Sequence, residues 1–287
     1  MTLRELNRTL LLRQMLLARK RIDVATAVAR LVALQAQYAP SPYVALWSRI
    51  AGFRKGHVTD GLGEGSLVKA AAFRTTLHVM SAGEFPFLAS SYIESQRGRA
   101  VPEWRTLPYL RTAPLGTWPH TKPSPSVLWP EPLPDPAVST ARVVRAYLAA
   151  YGPATRDDVK QFTGFKLGQI DPALEGLRVV DDGLFDMPRA RRAAEDVRAP
   201  VRYLPAFDSI ILAHRDRSRI VPPEYLDAVF DKRNATTKNT FTVDGFVAGA
   251  WRMEKRRLVV QPFAPLPRKW RREVDDEGAR LLAWYLA

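Results

Sequence analysis

Cysteine is absent from the 287 residues, which excludes disulfides, thiolate zinc sites and a cysteine nucleophile, and suits a reducing cytoplasm. Histidine is scarce. His57, His78, His120 and His214 are scattered, with no HExxH or paired-carboxylate spacing, so no metal site is visible. Neither a P-loop nor a GxGxxG occurs, which argues against nucleotide-dependent chemistry, and no cofactor is expected. Long apolar runs are also missing. The opening MTLRELNRTLLLRQMLLARK is broken by Arg4, Glu5, Arg8 and Arg13 at helical intervals. That pattern predicts an amphipathic helix over 3–18 rather than a signal peptide or membrane span.

Acidic charge is the other shortage. Asp and Glu number 29 against 43 Lys and Arg, leaving a net charge of +14. The basic set is 33 arginines and 10 lysines. Arginine's planar fork suits bidentate phosphate contacts, and charges sharing one face would give strongly salt-dependent binding to a polyanion. A merely soluble basic surface, or an arginine-favouring genome, would leave the same composition.

The chain length suits two or three compact modules. Helices are expected at 3–18, 23–37 and 42–53, then a strand pair between Leu67 and Met80, which is the order of a winged helix-turn-helix. A helix from Ser81 to Ser95 follows. Ten of the 23 prolines fall between Pro102 and Pro136. That density forbids a long helix or a central strand and favours extended backbone, while Trp104, Trp118 and Trp129 argue for docking on the protein. Residues 139–187 read as three helices and a hairpin turning at Asp182-Gly183, a second winged helix. Gln169 is its only obvious base-reading residue, so this copy is expected to be architectural.

From Val201 the period turns to β. Strands are expected at Ile210–Ala213, Thr240–Val243, Phe246–Trp251 and Leu258–Pro262, with a short helix Pro223–Phe230 and a final helix Glu277–Leu286. Asp244-Gly245 is a hairpin signal. The fold class is therefore α+β: tandem winged helix-turn-helix modules with a C-terminal β-rich module. The divisions are 1–100, a proline-rich connector 101–137, 138–200 and 201–287.

Three stretches could carry chemistry. Gln35 and Gln37 stand where an apolar helix is expected to stop before Pro40, and a carbonyl end there would favour a cation. Two glutamines merely solvating a helix end would look the same. Arg74, Thr76 and His78 share one strand face by the period of two, lining a cleft or simply facing solvent. HRDRSR, residues 214–219, reads as an exposed basic loop that could clamp phosphates or be only solvated.

The stretch LVALQAQYAPSPYVALWSR, followed by AAFRTTLHVM, resembles the AlkZ/YcaQ-like family of winged-helix DNA glycosylases, which excise bulky N-alkylated purines and unhook some interstrand crosslinks. The family's glutamine–apolar–glutamine signature falls on Gln35, Ala36 and Gln37, and its Arg-x-Thr-x-His strand on Arg74, Thr76 and His78. LPAFDSIILAHRDRS resembles its DNA-contacting hairpin region, and VDGFVAGAWR its C-terminal strands. The proline-rich stretch departs from it.

The resemblance implies catalytic Gln35 and Gln37, support from Arg74, Thr76 and His78, and DNA contacts from His214, Arg215, Arg217 and Arg219. Two neutral amides could orient water at an anomeric carbon only where the leaving base is already activated, as in N7- or N3-alkylpurines. The expected partner is double-stranded DNA containing alkylated purines, met by a cytoplasmic monomer. The competing reading is a non-catalytic winged-helix DNA-binding or regulatory protein. The two part at Gln35 and Gln37, since a regulator needs no amides there.

Overall fold

The computed structural model describes residues 1–102, 106–111, 126–181, 183–231 and 233–287. Helix α1, Leu3–Arg13, opens on a capping box between Thr2 and Glu5 and ends before the left-handed Met15, short of the expected 18. Helix α2, Val24–Arg30, is capped by the Asp23 carboxylate. It stops seven residues before the expected end at 37. Val32 turns left-handed at φ 68°, and Leu34–Gln35 forms strand β1. The apolar spacing served both outcomes, and strand pairing decided between them. Leu34 and Gln35 lie opposite Val79 and His78, and Ala36 N donates to Leu77 O at 2.7 Å. The glutamines therefore do not sit at a helix's carbonyl end.

Helices α3, Ser41–Trp47, and α4, Gly56–Glu64, lead to strands β2, Leu67–Ala71, and β3, Leu77–Ser81. The expected 42–53 helix is thus cut to two turns. Ser41 does not cap it, because its hydroxyl donates to the Ala206 carbonyl at 2.7 Å. Helix α5 spans Phe85–Gln96. Strands β4, Tyr109–Arg111, and β5, Ser126–Leu128, complete an antiparallel sheet in the order β1-β3-β2-β4-β5. The prolines thus permitted a central strand. A three-residue segment after Pro108 pairs on both sides. Trp129 docks on Phe85, with ring centroids 5.2 Å apart, while Trp104 and Trp118 lie outside the described residues.

Helices α6, Pro136–Tyr151, α7, Arg156–Thr163, and α8, Leu167–Leu174, precede the hairpin of β6, Arg178–Asp181, and β7, Leu184–Asp186. Asp182 lies outside the described residues. Gln169 accepts from Lys166 N and so closes the start of α8 rather than facing outward as a reader of bases.

Strand β8, Arg202–Leu204, is followed by a helix where a strand was expected: Asp208 caps α9, Ser209–Leu212, by accepting from Ile210 N. Helix α10, Leu226–Val229, follows a single 3-10 turn, and β9, Phe230–Asp231, pairs with β10, Thr236–Thr237. Strands β11, Asn239–Val243, β12, Phe246–Glu254, and β13, Arg257–Pro262, join β8 in the order β13-β12-β11-β8. Asp244 and Gly245 both have positive φ, as the tight hairpin turn requires, and a Cβ on Gly245 would collide with Arg8 and Asn7. Helix α11, Arg268–Leu286, starts nine residues earlier than expected, directly after Pro267.

The architecture is α+β, and its core crosses the chain rather than following it. One buried cluster gathers Leu10, Phe73, Tyr147 and Ile210, and another joins Val28, Tyr43 and Trp47 to Tyr203 and Trp251. Among the described residues no helix is long and apolar enough to cross a membrane.

At the seam, Arg49 forms a bidentate pair with Asp208 at 2.7 and 2.8 Å, both side chains fully buried. Removing one partner strands the other charge, so Asp208→Ala should cost about 3–5 kcal/mol. The Arg49→Leu, Asp208→Leu double variant should cost clearly less than the sum of the single changes. Urea denaturation of Asp208→Ala, and of the wild type, the two leucine single variants and their double, checks this; additive losses in the leucine cycle would show that the pair is not coupled.

Candidate active site

Gln35 lies in β1 at 8% exposure, and its Oε1 is buried with no hydrogen-bond partner among the described residues. It lines a cleft of about 800 Å³. Arg74 and Thr76 reach the same cleft from the first sheet, and Phe207, Arg217 and Phe230 reach it from the C-terminal part. Residues remote in sequence are therefore brought together. The joint is made by the 206–209 loop: Ser209 Oγ donates to Ala33 O at 3.2 Å, Ser41 Oγ to Ala206 O, and Phe207 N to Thr237 Oγ1 at 2.6 Å.

Arg74, Thr76 and His78 do not share one strand face. Phe73–Thr75 is a 3-10 turn in which Arg74 and Thr75 are both left-handed, at φ 52° and 64°. Each such residue costs on the order of 1–3 kcal/mol and persists only where the surroundings hold it. Thr76 Oγ1 donates to Phe73 O at 3.0 Å, and a Cβ on Gly164, which ends α7, would stand only 3.2 Å from Arg74 Cγ. The turn swings Arg74 outward, to the mouth of the cleft. Phe207 and Ala235, which line the cleft, are left-handed too.

His78 turns inward. Its Nδ1 donates to Thr76 O at 2.8 Å and its ring meets Phe73 edge to face. Burial, and secondarily the Arg74 charge, bring its pKa down to about 4 against the pull of the Thr76 carbonyl. It is a neutral buttress and cannot serve as an acid near pH 7.

Gln37 is exposed and lies outside the Gln35 cleft. It stands on a ridge between two further cavities, about 720 Å³ beside Tyr38 and Trp251 and about 530 Å³ beside Tyr92 and Tyr109. The first adjoins the Gln35 cleft through Phe207, Thr236 and Thr237.

Residues 214–219 are not a uniformly exposed loop. His214 and Arg219 are buried: His214 Nε2 lies 3.0 Å from the Tyr151 carbonyl, and Arg219 donates to Pro153 O. Burial and then the Arg219 charge lower the His214 pKa to about 4. Arg215 is exposed beside Asp157 at 3.3 Å. Only Arg217 enters the cleft, with its guanidinium 4.4 Å from the centre of the Phe230 ring. Sequence reasoning missed Phe230, and Phe207 was visible only as part of LPAFD. It missed also the exposed tip of the β12–β13 hairpin, Lys255, Arg256 and Arg257.

Residues 28–107 and 99–284 match the family described as DNA glycosylase AlkZ-like. An interstrand DNA cross-link repair glycosylase of Streptomyces sahachiroi is 27% identical over 152 residues, 48% of this chain and 41% of that relative's length. The matched part is therefore less than half of that relative. The solved structure of Streptomyces sahachiroi DNA glycosylase AlkZ has a TM-score of 0.84 and 19% identity, covering 99% of this chain and 97% of that one. The fold is shared.

Two histidines held neutral imply a pH dependence of folding. The unfolded chain binds their protons below about pH 6.5, whereas the folded chain resists down to about 4. Stability should therefore be flat above pH 7 and fall as pH drops from 6.5 to 5, a window above the usual carboxylate range. Urea midpoints at pH 7.5, 6 and 5 check this. An unchanged midpoint would contradict neutral burial.

Proposed function

Because the chain belongs to the AlkZ-like family of DNA glycosylases, we propose that it hydrolyses the N-glycosidic bond of N7- or N3-alkylated purines in double-stranded DNA, bulky adducts and interstrand crosslinks included. The observation that carries this is the Gln35 amide oxygen, buried and without a hydrogen-bond partner among the described residues, in a cleft built from two parts of the chain remote in sequence. A buried acceptor without a partner costs roughly 1–3 kcal/mol, so the site favours a donor brought by water or substrate.

The chemistry follows from what the cleft contains. An alkylated purine carries positive charge, so the C–N bond breaks with its electron pair going to the base, and the sugar becomes oxocarbenium-like. Gln35 Oε1 accepts a hydrogen bond from the attacking water and aims its lone pair at the anomeric carbon. The new C–O bond forms and the spare proton leaves to solvent. An amide cannot take that proton at neutral pH, so the catalyst contributes orientation and polarity rather than base strength. Gln37 engages the same nucleotide from the neighbouring ridge, and Lys255, Arg256 and Arg257 on the exposed hairpin tip grip the duplex backbone. The enzyme works as a cytoplasmic monomer without a cofactor.

Incubation with N7-methylguanine DNA, with abasic sites scored by alkaline cleavage, tests the reading. Gln35→Ala should slow single-turnover excision by about 10²-fold while the Kd for the duplex holds, the loss lying in transition-state stabilisation. Gln37→Ala should lose less, in keeping with its exposed place. Excision by the Gln35→Ala, Gln37→Ala double variant at the wild-type rate would end this mechanism. Tight DNA binding by a wild-type protein that excises nothing would favour the regulatory reading.

A further inference from the structure

Arg74 and Arg217 bring two guanidiniums into the Gln35 cleft from opposite ends of the chain, and neither has a carboxylate partner among the described residues. Arg217 is half-buried over Phe230, and its Nε is buried without a hydrogen-bond partner among the described residues. Arg74 is itself left-handed, as is Thr75 after it, and its side chain is backed by the bare Cα of Gly164. Arg74, exposed at the mouth of the cleft, is lowered from the usual arginine range by desolvation and then by the Arg217 charge, whereas Arg217 is lowered by desolvation alone. Two acidic residues line the cleft as well. Asp231 is taken up by its own turn, accepting from Arg233 N, Asn234 N and Asn234 Nδ2, and Asp227 has an interaction of its own.

Like charges gathered beside a reacting sugar would oppose the proposed chemistry, because positive charge develops there. An anion between them reverses the sign. We propose that Arg74 and Arg217 form a phosphodiester-binding subsite that clamps a phosphate next to the nucleotide whose base is excised. The substrate then supplies the counter-charge: bridged by both arginines, the phosphate neutralises them and lies where it favours the oxocarbenium-like sugar. Arg217 is on this view a residue of the reaction cleft rather than of an outer DNA-gripping loop. The inference rests on the glycosylase reading for the identity of the nucleotide, but not for the binding of phosphate.

Binding alone tests it. A duplex carrying a tetrahydrofuran abasic-site analogue is titrated by fluorescence anisotropy over a range of salt, and neutral methylphosphonates replace single phosphates around the analogue. Arg217→Ala and Arg74→Ala should each weaken binding about tenfold or more and reduce the salt slope by about one, since one counterion-releasing contact is lost. Arg215→Ala, on the exposed loop, should change the slope no more than any peripheral charge. One methylphosphonate position should weaken wild-type binding as much as Arg217→Ala does, and should cost the Arg217→Ala protein nothing further. Arg217→Lys should restore the slope but only part of the affinity, because a lysine keeps the charge without the fork. Melting curves confirm that each variant is folded.

Additive losses at every methylphosphonate position, or an unchanged slope in both alanine variants, would overturn the proposal. Inorganic phosphate that raises the melting temperature of the wild type but not of Arg217→Ala, with no coupling to any backbone position, would make this a free-anion site and overturn the DNA assignment. None of these readouts depends on excision. A protein that binds as expected yet releases no base would leave the subsite standing and remove only the catalytic reading.

Discussion

The fold turns on one buried ion pair. Arg49, just past α3, holds Asp208 with both guanidinium nitrogens and also donates to the Ala45 carbonyl. Gln14 stands beside it at 3.5 Å and donates in turn to Ala150 O at 2.9 Å. All three parts of the chain therefore meet around one guanidinium. Buried pairs contribute little net stability relative to apolar packing, so the consequence here is positional. Asp208 caps α9, its neighbour Phe207 lines the Gln35 cleft, and Ser209 is tied to the Ala33 carbonyl just before β1. Fixing Asp208 against Arg49 fixes the glutamine strand against the C-terminal wall.

The same economy governs much of the arginine content. Arg8 pairs with Asp244, Arg13 forms two bonds to the buried Asp186, and Arg19 and Arg202 share Glu277. Arginine suits these joints because its stem can be buried while its fork satisfies several carbonyls and a carboxylate at once; Arg13 Nη1 alone reaches Leu148 O, Gly152 O and Asp186. A polyanion argument drawn from net charge alone thus overcounts. Arg8, Arg13, Arg19, Arg49 and Arg202 are already paired with carboxylates, and the electrostatic surface is left to residues such as Arg256 and Arg257 on the exposed hairpin tip.

Legibility followed the locality of the cause. The Asp244-Gly245 turn and the hairpin strands of the C-terminal sheet are written in neighbouring residues and are legible in the sequence itself. The end of α2 did not. Apolar residues at 31, 32 and 34 suited a helix and a buried strand alike, and the deciding partner, His78, lies more than forty positions away. Isoleucines 210 and 211 read as strand for the same reason, and the Asp208 cap overrode their propensity. Motif positions were legible, but their geometry was not: Arg74 and Thr76 share a cleft with Gln35 only because a strained turn interrupts the alternation that first grouped them with His78. The basic run at 214–219 shows the limit of composition, since identical residue types there face the core, the solvent and the cleft in turn.

On the proposed reading, weakness of the catalytic groups is itself a source of selectivity. A protein that binds DNA mainly through charge meets far more intact than damaged nucleotides, and phosphate contacts alone cannot tell them apart. Excising a normal purine requires protonating the leaving base. His78 lies opposite Gln35 across the sheet, and its burial holds it neutral with its Nδ1 proton committed to the Thr76 carbonyl. Gln35 can orient water but can neither give nor take a proton at neutral pH. A base that already bears an alkyl group and a positive charge needs neither service. Discrimination then lies in the lability of the bond rather than in a fitted pocket, which leaves the cleft free to remain open enough for adducts of different size.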